Sequence, residues 1–224
     1  MDSDHEETRT LWRRAAATFQ PLAGEPTPFD ETQDWGSGHA YGEQVPLSGF
    51  PDESSLMVGV LGRLEPWFHV RREVPGKHPT GAPCRIDAIL TPKDAHCWKN
   101  PAISLGVEFK AWYSYVAHAD RRDTTGWVAQ AIDYAHVDWQ GFDRIPVFMC
   151  PDPFKRHRSF GASLPPVATF VDGLLGKYNV GYLALFRGVG LAMLMQGQHM
   201  IWSERYGVST GRRWSLRPKV GHRS

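Results

Sequence analysis

Cysteine is scarce in this 224-residue chain: Cys84, Cys97 and Cys150 are the only three, and none stands in C-x-x-C spacing. A closed disulfide framework and a four-cysteine iron–sulfur cluster are both excluded. Long apolar runs are missing as well. No stretch approaches the roughly 18 uninterrupted apolar residues of a membrane-spanning helix, so no membrane partner is expected. The opening residues MDSDHEETRT are acidic and have no apolar core, so no secretory leader is expected and a reducing cytoplasm is the expected compartment. There is no G-x-S-x-G elbow, no Walker A loop and no G-x-G-x-x-G turn, which leaves serine-type hydrolysis, ATP binding and hydride transfer without support. His78, Cys84, His96 and Cys97 offer zinc-ligand chemistry but match no standard zinc spacing.

What is present is one domain's worth of chain with an uneven charge distribution. The net charge is +1, yet residues 1–34 hold eight acids against three Lys/Arg, so the remainder is basic. Two clusters concentrate that excess: Lys155, Arg156 and Arg158 in mid-chain, and Arg212, Arg213, Arg217 and Lys219 near the end. Either they meet a polyanion or they are simply solvated surface.

Hydrophobic periodicity predicts a helix over 4–19, whereas residues 21–50 are rich in Gly and Pro without sustained periodicity and read as a surface arm, a lid or a segment with short strands. It then predicts a helix capped by Asp52, with Leu56, Val60, Leu64 and Trp67 on one face and a stop at Pro66. Strands are expected at 68–74, 84–90 and 103–112, a helix at about 124–140, a buried strand at 145–150 and a helix from Ser163 to Tyr178. Further strands are expected at 182–187, 190–196 and 199–203. The class is α/β: a central mixed β-sheet flanked by helices. The expected division is an N-terminal helix and Gly/Pro-rich arm over 1–50, the principal domain over 51–208 and a basic tail over 209–224. Trp67, Trp127 and Trp202 read as core, whereas Trp112, Trp139 and Trp214 are candidates to stack on bases.

One constellation carries chemistry. In the third strand Ile103, Leu105, Val107 and Phe109 alternate with Ser104, Gly106, Glu108 and Lys110, so Glu108 and Lys110 share the face away from the apolar row. In the preceding strand Ile86, Ala88 and Leu90 form the apolar row, and Asp87 points the other way, where it can meet Glu108. Two carboxylates side by side repel unless a cation neutralises them, and a hard divalent ion is the natural one. The competing reading makes Glu108 and Lys110 an exposed pair and joins Asp87 to Arg85 or Arg72.

Asp87 followed by Glu108-Phe109-Lys110 on the next strand resembles the D…(D/E)-x-K signature of the PD-(D/E)xK nuclease superfamily, although Ile86 stands where the name-giving motif has proline. Gln130 and Tyr134, four apart on the following helix, resemble the Q-x-x-x-Y motif of its RecB-like, lambda-exonuclease-like branch. The resemblance covers roughly residues 52–150. It implies a restriction-endonuclease-like core of order αβββαβ, here with an extra C-terminal helix and strands.

The implied activity is metal-dependent hydrolysis of DNA, exonuclease-like. Asp87, Glu108 and the Phe109 carbonyl would bind Mg²⁺ or Mn²⁺, and Lys110 would orient the attacking water. Gln130 and Tyr134 would brace the site and touch substrate, and an acidic residue on the helix before the first strand, Glu53 or else Glu65, would complete the metal set. A homo-oligomer or membership of a larger recombination or defence complex is implied as a possible assembly. The alternatives are a catalytically silent nucleic-acid-binding or scaffold subunit, and a sequence-specific endonuclease.

Overall fold

The computed structural model describes residues 44–45, 47, 49–111, 121–142, 144–152, 174–186, 188–195 and 199–208. The predicted helix over 4–19, both basic clusters, Trp112 and Trp214 lie outside them, as does all but residues 174–178 of the helix expected from Ser163. In chain order the elements are β1 (Gln44–Val45), α1 (Glu53–Leu64), β2 (Phe68–Lys77), β3 (Pro83–Pro92), β4 (Leu105–Phe109) and α2 (Arg121–Tyr134). There follow β5 (Asp138–Trp139), β6 (Val147–Cys150), β7 (Val180–Phe186), β8 (Gly190–Met195), β9 (His199–Ser203) and β10 (Gly207–Val208).

Helix α1 begins where the sequence places it. The Asp52 carboxylate accepts from the Ser55 N–H at 2.7 Å, and the Ser55 hydroxyl answers the Asp52 N–H, a reciprocal cap worth about 1 kcal/mol. Leu56, Val60, Leu61 and Leu64 are fully buried. Gly59 is required where Phe50 crosses the helix, because a Cβ there would come within 2.5 Å of the Phe50 ring. Trp67 departs from expectation: the helix ends at Leu64, and Trp67 is 43% exposed, touching Trp202 only edge-on. Trp127 and Trp202 are buried as expected.

The strands form one large mixed sheet in the order β10-β9-β8-β7-β6-β4-β3-β2-β5, and β1 pairs with β7 off that path. The pairs β4–β6 and β6–β7 are parallel; the others are antiparallel. A parallel pair needs a crossover, and the chain from β4 to β6 makes it through α2. Apolar residues gather on both faces. Leu105, Val107 and Phe109 join the cluster that holds α1, while Ala131 of α2 packs with Val147, Met149 and Tyr182 on the opposite face. No helix among the described residues is long and apolar enough to cross a membrane.

Boundaries differ from expectation in physically intelligible ways. Strand β4 is only five residues long, and α2 covers Arg121–Tyr134 rather than 124–140. Thr124 and Thr125 therefore lie within the helix, and Asp138–Trp139 leaves it to pair with Gly76 and Lys77 of β2. Trp139 is 2% exposed, its indole N–H donating to the Tyr134 carbonyl, so it is a packing residue and not a surface for bases. The face of β4 opposite its apolar row is buried too, and there Gln130 of α2, a helix packed on the neighbouring β6, reaches Glu108.

Candidate functional site

The site lies where β3 and β4 part. Their ladder runs through Leu90–Leu105 and Ile89–Gly106 and ends at Ala88–Val107. Just beyond, the Phe109 N–H donates to the Asp87 carboxylate at 2.7 Å instead of to a strand partner. The β2–β3 ladder is interrupted at the same level: Arg72–Ala88 and Val74–Ile86 are paired, Glu73–Asp87 is not, and Glu73 has φ +52°. A left-handed non-glycine residue costs about 1–2 kcal/mol.

The faces of both strands switch across this break. Ala88 and Leu90 pack with α1, whereas Ile86 joins Val74 in the cluster under α2. The expected apolar row of Ile86, Ala88 and Leu90 is therefore divided, and Asp87 sits at the division. Gly106 permits it, because a Cβ there would meet Ile86 Cδ1 at 2.6 Å.

Glu108 is 3% exposed, its carboxylate on the face that Gln130 of α2 reaches. Its Oε1 accepts from Lys110 Nζ at 3.1 Å and from Gln130 Nε2 at 2.8 Å, and that same amide reaches the Tyr134 hydroxyl at 3.0 Å. Gln130 and Tyr134 stand one helical turn apart on α2, which is why both reach the same place. The second oxygen, Glu108 Oε2, is buried and has no hydrogen-bond partner.

Electrostatics follow from burial. Loss of solvent raises Glu108 from 4.5 to about 7, the Asp87 charge adds to the rise, and Lys110 only partly opposes it. Burial also raises Asp87 against the pull of the Phe109 N–H and Lys110, with Glu53 and Glu73 pushing it further up. For Lys110 burial acts downward, but Glu108, Glu53 and Asp87 together outweigh it and hold the ammonium above its ordinary value. Burial raises the Tyr134 phenol as well.

The structure thus brings Asp87, Glu108, Lys110, Gln130 and Tyr134 together, and Glu53 lies close enough for its charge to act on Asp87 and Lys110. Glu65 is elsewhere: it is exposed beyond the end of α1 and faces Arg72 at 3.8 Å. Arg85 pairs with Glu73, so the competing reading that joins Asp87 to Arg85 or Arg72 does not hold. The oxygens available to a cation are Glu108 Oε2, the second Asp87 oxygen and the Phe109 carbonyl beyond the end of the ladder. Among the described residues no three His, Cys, Asp or Glu side chains converge as a metal cage. Mg²⁺ does not require one, being held through one or two carboxylates with water and phosphate oxygens.

The paper zinc set is dispersed. His78 and Cys84 are at the hairpin end of β3, and His96 and Cys97 lie past its other end, roughly 25 Å away at strand rise. Glu73 is the neighbour that sequence reasoning missed; between Arg72 and Val74 it reads as an ordinary exposed strand position, and only its backbone conformation marks it. A second missed acid, Glu204, forms a two-point ion pair with Arg63 at 2.7 and 2.6 Å and accepts from the Leu191 N–H. That clasp ties α1 to the β8–β9 region, away from the site. No family model, no curated protein and no solved structure matches this chain.

Proposed function

We propose that this protein is a metal-dependent nuclease that hydrolyses DNA phosphodiester bonds at the Asp87–Glu108–Lys110 site. The observation that carries the reading is the unpartnered oxygen of a buried Glu108 beside Asp87. An orphaned buried carboxylate oxygen is costly, and a cation shared with Asp87 would satisfy it. The donors fit Mg²⁺ or Mn²⁺, held by Asp87, Glu108 and the Phe109 carbonyl with Glu53 nearby. When bound, such an ion offsets charge on the phosphoryl group and makes water more acidic.

The remaining residues have roles that follow from their contacts. Lys110, kept as an ammonium by the carboxylates around it, donates to the attacking water or a phosphoryl oxygen and does not act as a base. Gln130 fixes the Glu108 carboxylate through Oε1, leaving Oε2 for the ion, and Tyr134 orients Gln130. The order α1, β2, β3, β4, α2, β6 supports the restriction-endonuclease-like fold and, with Gln130 and Tyr134, its RecB-like branch. The short β5 is an addition to that order.

The test is cleavage of linear duplex, linear single-stranded and covalently closed circular DNA by the wild type and Asp87→Ala, with Mg²⁺, with Mn²⁺ and with EDTA. Metal-dependent cutting that the substitution abolishes is the expected result, and sparing of circles identifies an exonuclease. Discrete fragments from long DNA would identify a sequence-specific endonuclease. DNA bound but uncut under every condition would overturn the enzymatic reading in favour of a catalytically silent binding subunit.

A further inference from the structure

A site of this composition meets a difficulty with its own substrate. Asp87 is under the influence of Glu53 and Glu73, and Glu108 is close by, so four carboxylates face a polyanion. Lys110 is engaged with Glu108, and the cation tied to Glu73 is Arg85. Arg85 lies two residues from Asp87 on β3, about 7 Å along the strand, and is joined to it through Glu73, which pairs with Arg85 and whose charge acts on Asp87. Its side chain is 68% exposed, and Glu73 turns to it from the position left out of the β2–β3 ladder.

Lys77, farther along the hairpin, stands opposite Asp138 across the β2–β5 ladder. Arg85 is the one arginine of β3, and Arg72, opposite Ala88 on β2, faces Glu65 instead. A guanidinium already held by a carboxylate is oriented for the similar fork presented by a phosphate. The pair it makes with Glu73 is solvent-exposed, and exposed pairs are readily exchanged.

We infer that Arg85 is a substrate-contacting residue that binds the DNA phosphate next to the one being cleaved, and that Glu73 occupies its guanidinium in the absence of DNA. This rests on the nuclease reading for the identity of the polyanion. Binding of DNA transfers Arg85 from Glu73 to the phosphate. The contact is with the backbone, so it strengthens binding without choosing a sequence.

The test is binding of a fluorescently labelled duplex oligonucleotide in EDTA by wild type, Arg85→Ala and Glu73→Gln, each first checked for an unchanged melting temperature. One phosphate contact contributes about 0.9 to the slope of log affinity against log salt. Between about 50 and about 200 mM salt the wild type should therefore lose roughly three- to four-fold more affinity than Arg85→Ala. Glu73→Gln, which frees the guanidinium, should bind more tightly than wild type. Equal affinity of Arg85→Ala and wild type at both salts, or no binding by wild type at the lower one, overturns the inference.

Cleavage of the same duplex with Mg²⁺ separates the two readings. Cleavage with Arg85-independent binding removes Arg85 alone. Arg85-dependent binding without cleavage in any metal removes the nuclease and leaves the phosphate contact standing.

Discussion

Replacing Glu108 by glutamine should make the metal-free protein more stable at pH 8, not less. The carboxyl is almost wholly buried and its pKa rises from 4.5 to about 7, so the folded state binds a proton more tightly than the unfolded chain does. Wherever the folded state holds more protons, stability falls as pH rises, and the fall extends from about pH 4.5 to about pH 7. At about 1.4 kcal/mol per pH unit the penalty above that window is roughly 3 kcal/mol.

Glu108→Gln keeps the acceptor for Lys110 and Gln130 and removes the charge. In EDTA at pH 8 it should therefore melt about 6–12 °C above wild type. At pH 4.5, where wild-type Glu108 is protonated, the two should melt together. Thermal unfolding across pH measures both, and repeating it with Mg²⁺ should raise the wild type and leave the variant unmoved. A variant that melts at or below wild type at pH 8, or a gap that does not change with pH, would refute the electrostatic account of the site.

Lys110→Ala should abolish turnover and move the Glu108 titration further upward, because the opposing ammonium is gone; a pH titration of melting temperature reads the second effect. Gln130→Ala removes the hydrogen bond to Glu108 and should cost about 1–2 kcal/mol in unfolding free energy and 10- to 100-fold in metal affinity, measured by chemical denaturation and calorimetric Mg²⁺ titration. Asp52→Ala should lower stability by about 1 kcal/mol through loss of the α1 cap while the metal requirement of cleavage stays as in wild type. An equal loss of activity in that variant would show that the position of Glu53, the next residue, depends on the cap.

The grouping of Glu108 with Lys110 and of Gln130 with Tyr134 was legible in the sequence because local periodicity governs it. Alternation in β4 separates Glu108 from Val107 and Phe109, and a four-residue step puts Gln130 beside Tyr134. Asp87 was found for a partly mistaken reason, since the row that it was set against is divided by the left-handed Glu73 and the missing pair. No propensity marks a glutamate for that conformation.

Burial of Glu108 was equally invisible, because it comes from tertiary packing that brings Gln130 of α2 onto it. Trp67 reads as core only if the helix continues three residues past Leu64. Strands β1 and β5 have two residues each, too few for any period to show. The Arg63–Glu204 clasp joins positions 141 residues apart, beyond the reach of any local pattern.

The hydrogen bond from the Phe109 N–H to Asp87 gives the protein an internal indicator. Most strand amides are held by backbone carbonyls, whose acceptor strength does not change with pH, whereas this one is held by a group that titrates. Protonating Asp87, or drawing its electron density toward a cation, weakens the acceptor and moves the resonance of that single amide proton. In a ¹⁵N-labelled sample the Phe109 cross-peak should follow the ionisation of Asp87 and the arrival of metal together, reporting occupancy of the site from a backbone atom that no active-site substitution needs to touch.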